Sequence, residues 1–354
     1  MSSMIPGRER TRQAVPGSST RVRCRVQVRV SGRAGARLWG VKPRIRLLPA
    51  VLALLHPVLA LAGTGGDALR SPLLVHGRVD LNLTAITGES IRVEQASSSY
   101  IGLSGQEALS GAAAIFELEA GLDADTGGSD EPFWGRESWV GLKTPSTRLR
   151  LGRSRSPPQR VIAQHDPHGT DGIGSFGSTR LLLGHQGLTR LDNAIYVEAG
   201  DGPGLSAFAA WQWREGDAGR SGWKTLRLRF EARSLDMSLA HAHLGGADHL
   251  NSLGLAWEAG RWRPTLMLNV GERAGLARRS WLVGVSRTEA KPAWRAAYSQ
   301  LERGDLRSAE RRLWAIGLDH ALSRRTTLYV TANREWRHDS AARSGLEAGL
   351  RHRF

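Results

Sequence analysis

Apolar and polar positions alternate through most of this chain in segments of roughly ten residues. Leu226, Leu228 and Phe230 take one phase of a segment, while Arg227, Arg229, Glu231 and Arg233 take the other. Leu346, Ala348 and Leu350 alternate in the same way with Glu347, Gly349, Arg351 and Arg353, and the pattern runs to the last residue, Phe354. A period of two sends odd and even positions to opposite faces of a sheet. An apolar face backed by a charged one, repeated hairpin after hairpin, predicts a closed barrel that meets lipid outside and water inside.

Sixteen strand segments follow from this period. The first eight are Ser71–Ile86, Ile91–Gln106, Gly111–Leu122, Trp134–Lys143, Thr147–Arg153, Leu191–Glu198, Leu205–Glu215 and Trp223–Arg233. The rest are Leu235–Leu244, Asn251–Ala259, Trp262–Glu272, Ser280–Glu289, Ala293–Arg303, Arg311–Ala321, Thr326–Trp336 and Leu346–Phe354. An even number suits a barrel with no unpaired edge in lipid. Glycine-rich turns such as Gly202-Pro203-Gly204 and Gly245-Gly246 separate the segments, with short links interspersed among longer polar ones. Trp211, Trp213, Trp257, Trp262, Trp281, Trp294, Trp314 and Trp336 recur, most of them near segment ends. That placement suits aromatic girdles, the competing reading being the core of a soluble sandwich. Residues 154–190 hold no convincing strand, and a connection of this length predicts a functional loop folded into the barrel.

The formal net charge of +16 changes meaning once it is located. Residues 1–62 hold 12 basic residues and one acid, Glu9, which leaves 37 basic and 32 acidic residues in the remainder. The overall basicity therefore says little about nucleic acid, and no nucleic-acid partner is expected. Cys24 is the only cysteine, so the rest of the chain offers neither a disulfide nor a thiolate metal site. Lys42, Arg44 and Arg46 precede the apolar run Leu47–Leu61, and Ala60-Leu61-Ala62 offers small residues for cleavage. This reads as a signal peptide over 42–62, the alternatives being a short buried helix or a membrane anchor. Residues 1–41 read as a basic leader, disordered or upstream of the true start, and residues 63–354 as the barrel.

Several motifs resemble the general porin family of Gram-negative outer membranes, in its trimeric proteobacterial form. They are Val75-His76-Gly77-Arg78-Val79-Asp80, Ser97 to Gly105, Ile115-Phe116-Glu117-Leu118-Glu119, Trp139-Val140-Gly141-Leu142, Leu151-Gly152-Arg153, Asp166-Pro167-His168-Gly169 and Arg190 to Tyr196. Their order, and the terminal Phe354, carry the likeness from about residue 74 onward. The resemblance implies a sixteen-stranded homotrimeric barrel in the outer membrane, inserted by the barrel-assembly machinery among lipid and lipopolysaccharide. It also implies a third loop that narrows a passage for ions and small hydrophilic solutes. By that likeness Arg153 would stand on a basic wall, Asp166 and Asp171 on an acidic loop face, and Phe354 would be the assembly signal. Tyr100 departs from the pattern, since many members have an arginine at the corresponding place.

A water-filled pore selects by its width and by the charges at its narrowest section. Arg153, Arg155 and Arg160 could draw anions there, with Asp166 and Asp171 opposing them, unless these charges are only solvated on a loop. Arg78, Arg227, Arg229, Arg351 and Arg353 fall in the inward phase, and the expected outcome is a weak anion preference. Asp123-Ala124-Asp125-Thr126-Gly127-Gly128 opens like a calcium loop but lacks ligands at the fifth and twelfth positions, so an acidic surface loop is expected. His241 and His243 share a strand face without a third ligand, and no metal or other cofactor is expected. G-x-S-x-G and H-E-x-x-H are absent from the chain, so no enzyme is expected either. The competing functions are a substrate-selective outer-membrane channel and a secreted soluble all-β binding protein.

Overall fold

The computed structural model describes residues 73–170, 172–176, 188–200, 202–213, 222–287, 292–306 and 309–354. The basic leader, the signal segment, Cys24 and Asp171 lie outside the described residues. Seven strands come before residue 156: β1 (Leu73–Ile86), β2 (Arg92–Glu94), β3 (Ser99–Leu109), β4 (Ala112–Asp123), β5 (Gly128–Ser129), β6 (Glu137–Lys143) and β7 (Thr147–Arg155). A helix, α1 (Pro157–His165), interrupts the run. Then follow β8 (Arg190–Ala199), β9 (Gly204–Gln212), β10 (Lys224–Glu231), β11 (Leu235–His243), β12 (His249–Trp257) and β13 (Arg263–Arg273). The last are β14 (Leu276–Arg287), β15 (Ala293–Arg303), β16 (Arg311–Ala321), β17 (Thr326–Arg337) and β18 (Ser340–Arg353).

β2 and β5 are two- or three-residue ribbons in the loops, so sixteen wall strands remain, one for each segment the alternation predicts. All pair antiparallel with their neighbours, and β1 closes on β18 in an unbroken register from Arg78 opposite Arg353 to Ile86 opposite Gly345. Closure leaves no row of unpaired backbone groups to face lipid. At the seam the backbone N–H of Gly77 donates to the Phe354 carbonyl and that of Phe354 to the Gly77 carbonyl, both at 3.2 Å. Gly77 has to be glycine here, because a Cβ would stand 2.4 Å from the Phe354 ring.

The alternation sorts the residues as the sequence predicts. Leu226, Leu228 and Phe230 are each about 40 % exposed on the outer face, while Arg227 between them is buried. The same outer band carries Val283, Ile316, Leu318, Leu328 and Leu350. Inward positions are small or polar, such as Ser238, Ser252, Thr265, Asn269 and Ser299. The buried apolar cluster also lies inside the barrel: Ile162, Phe176 and Leu188 of the long loop pack on Leu191, Tyr196, Phe208, Leu250, Met267, Leu282 and Leu301 of the wall. This internal core of loop against wall holds the insertion in place.

The helix was not predicted from the alternation, yet its origin is local. Ser156 caps it by accepting the backbone N–H of Gln159 at 3.3 Å, and proline stands at its first position. It ends where Asp166 precedes Pro167, which favours extended backbone, and Asp166 has φ −85° and ψ 118°. The helix lies against β9 to β13. Loop residues continue past Gly284 of β14 at Pro167 and past Gly317 of β16 at His168. The Ile173 N–H reaches Glu347 of β18 at 3.3 Å, and its carbonyl accepts Asn333 of β17 at 2.6 Å.

Candidate functional site

With the loop lying along the wall from β9 to β18, the opposite wall of β1, β3, β4, β6 and β7 faces it across open space. A cavity of about 560 Å³ lies between them. Six of its lining residues are arginines, Arg78, Arg136, Arg150, Arg155, Arg160 and Arg227, and three are acids, Glu117, Glu119 and Glu137. Tyr100, Ala163 and Gln164 complete the lining. The fixed charge of this set is +3; β7 contributes Arg150 and Arg155, α1 contributes Arg160, Ala163 and Gln164, and no described loop residue adds an acid to the lining.

The arginines are stiffened in two groups. Glu198 on β8 takes Arg160 at 2.9 Å and Arg148 at 3.2 Å, and also Arg150, so one carboxylate serves three guanidinium groups. Arg150 further donates to the Ser154 hydroxyl at 3.0 Å and lies 5.1 to 5.4 Å from the rings of Trp139, Tyr196 and Phe208. Arg160 covers the Phe208 ring at 4.2 Å. In the second group Tyr100 is flanked by Arg136 at 4.5 Å and Arg78 at 5.5 Å, and Arg136 pairs with Glu119 at 3.3 Å. The tyrosine that departs from the family pattern thus acts as a spacer on which two cations rest. Arg227 reaches across to the Gln164 side chain and donates to Ser238 at 2.9 Å, which ties α1 to the wall.

The sequence-derived site residues divide into three sets. Arg155, Arg160, Arg78 and Arg227 all line the cavity. Arg229 and Arg351 lie on the inner face outside it: Arg229 donates to Asp236 at 3.0 Å and Arg351 to the buried Asp80 at 2.8 Å. Arg353 stands exposed at the end of β18, opposite Arg78. Arg153 and Asp166 are placed elsewhere than expected. Arg153 follows the outward-facing Leu151 by two residues, donates to the Gly135 carbonyl at 2.7 Å and pairs with Asp192. Asp192 belongs to an irregularity where β8 carries an extra residue opposite Gly152 to Ser154, and Asn193 there has φ 47°.

Asp166 turns away from the water. Its two carboxylate oxygens accept the backbone N–H groups of His168 and Phe176, each at 2.8 Å, so it staples the loop to itself. Burial pushes its carboxyl up to about 7. Burial, with Arg295 close by, lowers His168 to about 3, and burial also lowers His165. Both rings fill places left by glycines, His165 against Gly254 and His168 against Gly317 and Gly174.

The residues best able to hold a metal are ones the sequence reading passed over. His76, Glu117 and Glu119 bring ligand atoms within 4.8 Å of one another, the His76 ring lying over Gly102. Tetrahedral or octahedral coordination at about 2 Å needs a tighter set, and Glu119 is already engaged by Arg136. His241 faces outward and bonds Asn251 at 2.9 Å. Asp123 to Gly128 forms a tight turn in which the Gly127 N–H bonds the Asp123 carbonyl at 2.7 Å. The loop charge pattern had a sequence signal that went unused: Ser156-Pro157-Pro158 announces a helix, and helical spacing puts Arg160 and Ala163 on one face.

Comparison with known proteins agrees with this geometry. The family model described as Gram-negative porin matches residues 50–339. No curated protein sequence matches the chain. Among solved structures, the anion-selective porin from Comamonas acidovorans superimposes with a TM-score of 0.71 at 22% identity, over 80% of this chain and 100% of that one. The trimer form of OmpT, an outer membrane protein of Vibrio cholerae, gives a TM-score of 0.64 at 14% identity, over 80% and 99%. Salmonella typhi OmpF, solved with daunomycin, gives 0.66 at 11% identity, over 80% and 97%.

Proposed function

Because the chain belongs to the Gram-negative porin family, we propose that the arginine-lined cavity beside its internal loop sets the selectivity of an outer-membrane diffusion channel. The barrel supplies an apolar exterior and a polar interior, and the solute passes down its own gradient through water. Family and fold are those of a channel rather than of an enzyme. The observation that carries the selectivity is the excess of three positive charges in the cavity lining, to which no described loop residue adds an acid. Anions are concentrated there and cations repelled. The similar protein from Comamonas is itself named anion-selective, which supports the same reading here.

Arg78, Arg136, Arg150, Arg155, Arg160 and Arg227 are the residues assigned to this task. Glu198 and Tyr100 position them. The chain is further proposed to form a homotrimer, to lose residues 1–62 on export and to use Phe354 as the mark read during barrel assembly. The likeness to a trimeric OmpT supports the first of these points and the packing of Phe354 on Gly77 the last, while the apolar run Leu47–Leu61 before Ala60-Leu61-Ala62 supports the cleavage. The test is a planar-bilayer recording in a salt gradient. A reversal potential of the sign that marks anion passage is expected, and one of the opposite sign refutes the assignment.

A further inference from the structure

One row of inward positions on the cavity wall has a composition that its arginine-rich surroundings do not explain. It runs from His76 on β1 through Gly102 on β3 to Glu119 on β4, with Glu117 two residues along on the same face of β4. Neighbouring strands lie about 4.8 Å apart, so His76 and Glu119 are two spacings from each other and would not meet across an ordinary side chain. The glycine between them removes that obstacle. A Cβ at position 102 would stand 2.7 Å from Nε2 of His76, so the imidazole lies where that side chain would be. Nε2 comes to 3.9 Å from Oε1 of Glu117, and one ligand atom from each of the three residues lies within 4.8 Å of the others.

Both carboxylates line the cavity, yet Glu117 receives no hydrogen bond among the described residues, and its one ion pair there is with His76. On a wall with six arginines that is an unusual vacancy. The nearest guanidinium groups are committed elsewhere: Arg78 donates to the Ser98 carbonyl at 2.7 Å, Arg150 to Ser154 and Glu198, and Arg136 to Glu119. Arg136 engages only Oε2 of Glu119, at 3.3 Å, and Oε1 is left for another partner.

We propose that His76, Glu117 and Glu119 form a binding site for a divalent first-row transition ion of the zinc type. Imidazole with two carboxylates suits such an ion, whereas calcium and magnesium take oxygen ligands. Ligands about 2.1 Å from one ion stand about 3.0 to 3.4 Å from each other, so His76 and Glu117 are within about 1 Å of that spacing already. The whole set closes with roughly 1.5 Å of movement, which rotation of the two glutamate side chains supplies. Water from the cavity fills the remaining positions. Arg136, on the other oxygen of Glu119, then orients that ligand from behind. A bound dication would add two positive charges to the wall and strengthen its preference for anions; that consequence rests on the selectivity reading above, and the binding does not.

The experiment is calorimetric titration of Zn2+ into the full chain, folded in detergent, with Cys24→Ser in every sample to remove the one thiol. One equivalent is expected to bind, with affinity reduced on the order of a hundredfold in each of H76Q, E117Q and E119Q. Ca2+ at equal concentration should not compete. H241Q/H243Q, which changes the histidines of β11 away from this row, should bind as the parent does. Folding of each variant is read from the heat-dependent shift in gel mobility, and the isosteric E117Q decides the matter should H76Q not fold. Zinc binding that survives E117Q and H76Q overturns the proposal. So does its loss in H241Q/H243Q, its displacement by Ca2+, or the absence of binding to the parent. A channel that passes cations while E117Q still loses zinc would refute the selectivity reading and support this site, so the two fail separately.

Discussion

Arg155 is the place to perturb selectivity, because it lines the cavity and its side chain has no ionic partner among the described residues. A cavity of about 560 Å³ has the volume of a sphere of roughly 5 Å radius, so a solute crossing it passes about that far from each lining charge. At that distance in water a unit charge is worth about 0.8 kcal/mol, and salt near 0.1 M reduces it to about 0.5. The gain for an anion is matched by a loss for a cation, so each unit of lining charge changes the anion-to-cation ratio by about fivefold. The lining charge falls from +3 to +2 in R155Q, to +1 in R155E and to zero in R155E/A163E, since Ala163 lines the cavity from α1. The reversal potential in a salt gradient should shrink at each step and approach zero in the last variant. Repeating the series near 1 M salt, where screening acts within about 3 Å, should compress all four values together. Folded variants that keep the parent's reversal potential throughout the series would show that selection happens elsewhere in the pore.

Three other outcomes follow from the loop and the seam. Asp166 and His168 make loop docking depend on pH in opposite senses. Asp166 is raised from 3.8 to about 7, so its contribution is present below 3.8 and is lost as pH climbs toward 7. His168 is lowered from 6.5 to about 3, so its contribution is present above 6.5 and is lost as pH falls toward 3. H168Q should therefore leave docking that weakens with alkali, and D166N docking that weakens with acid, both read as the rate of proteolysis of the loop from pH 4 to 7. Ser156→Ala removes the helix cap and should cost about 1 kcal/mol of loop docking, seen as faster cleavage under the same protease. Gly77→Ala forces a Cβ to within 2.4 Å of the Phe354 ring and 2.6 Å of the Tyr100 carbonyl, and should cost about 1 to 3 kcal/mol of barrel stability. A lowered urea midpoint for the gel-mobility shift would record it, and an unchanged midpoint would mean that the seam relaxes freely.

The wall of this barrel is legible in the sequence because its two solvents impose the pattern residue by residue: Leu228 and Arg229 differ since one meets lipid and the other water. The site is less legible, because what a loop charge does depends on which backbone groups lie beside it. Asp166 reads as a pore charge until the N–H groups of His168 and Phe176 are seen closing on it, and those come from a turn that alternation does not encode. Arg153 reads as a pore charge until the extra residue at Asp192 and Asn193 is seen, since only a bulge brings Asp192 within reach on that side of the sheet. The two misplacements offset each other in charge. Removing Arg153 takes one cation from the cavity, removing Asp166 takes the one described acid from the loop, and Arg136 and Arg150, which the sequence reading passed over, enter as cations. Positive selectivity thus rests less on residues placed on the loop than on a wall whose arginines outnumber the carboxylates able to neutralise them. Glu198 shows the sharing most clearly, because one carboxylate engages three guanidinium groups, of which Arg150 and Arg160 line the cavity and Arg148 does not.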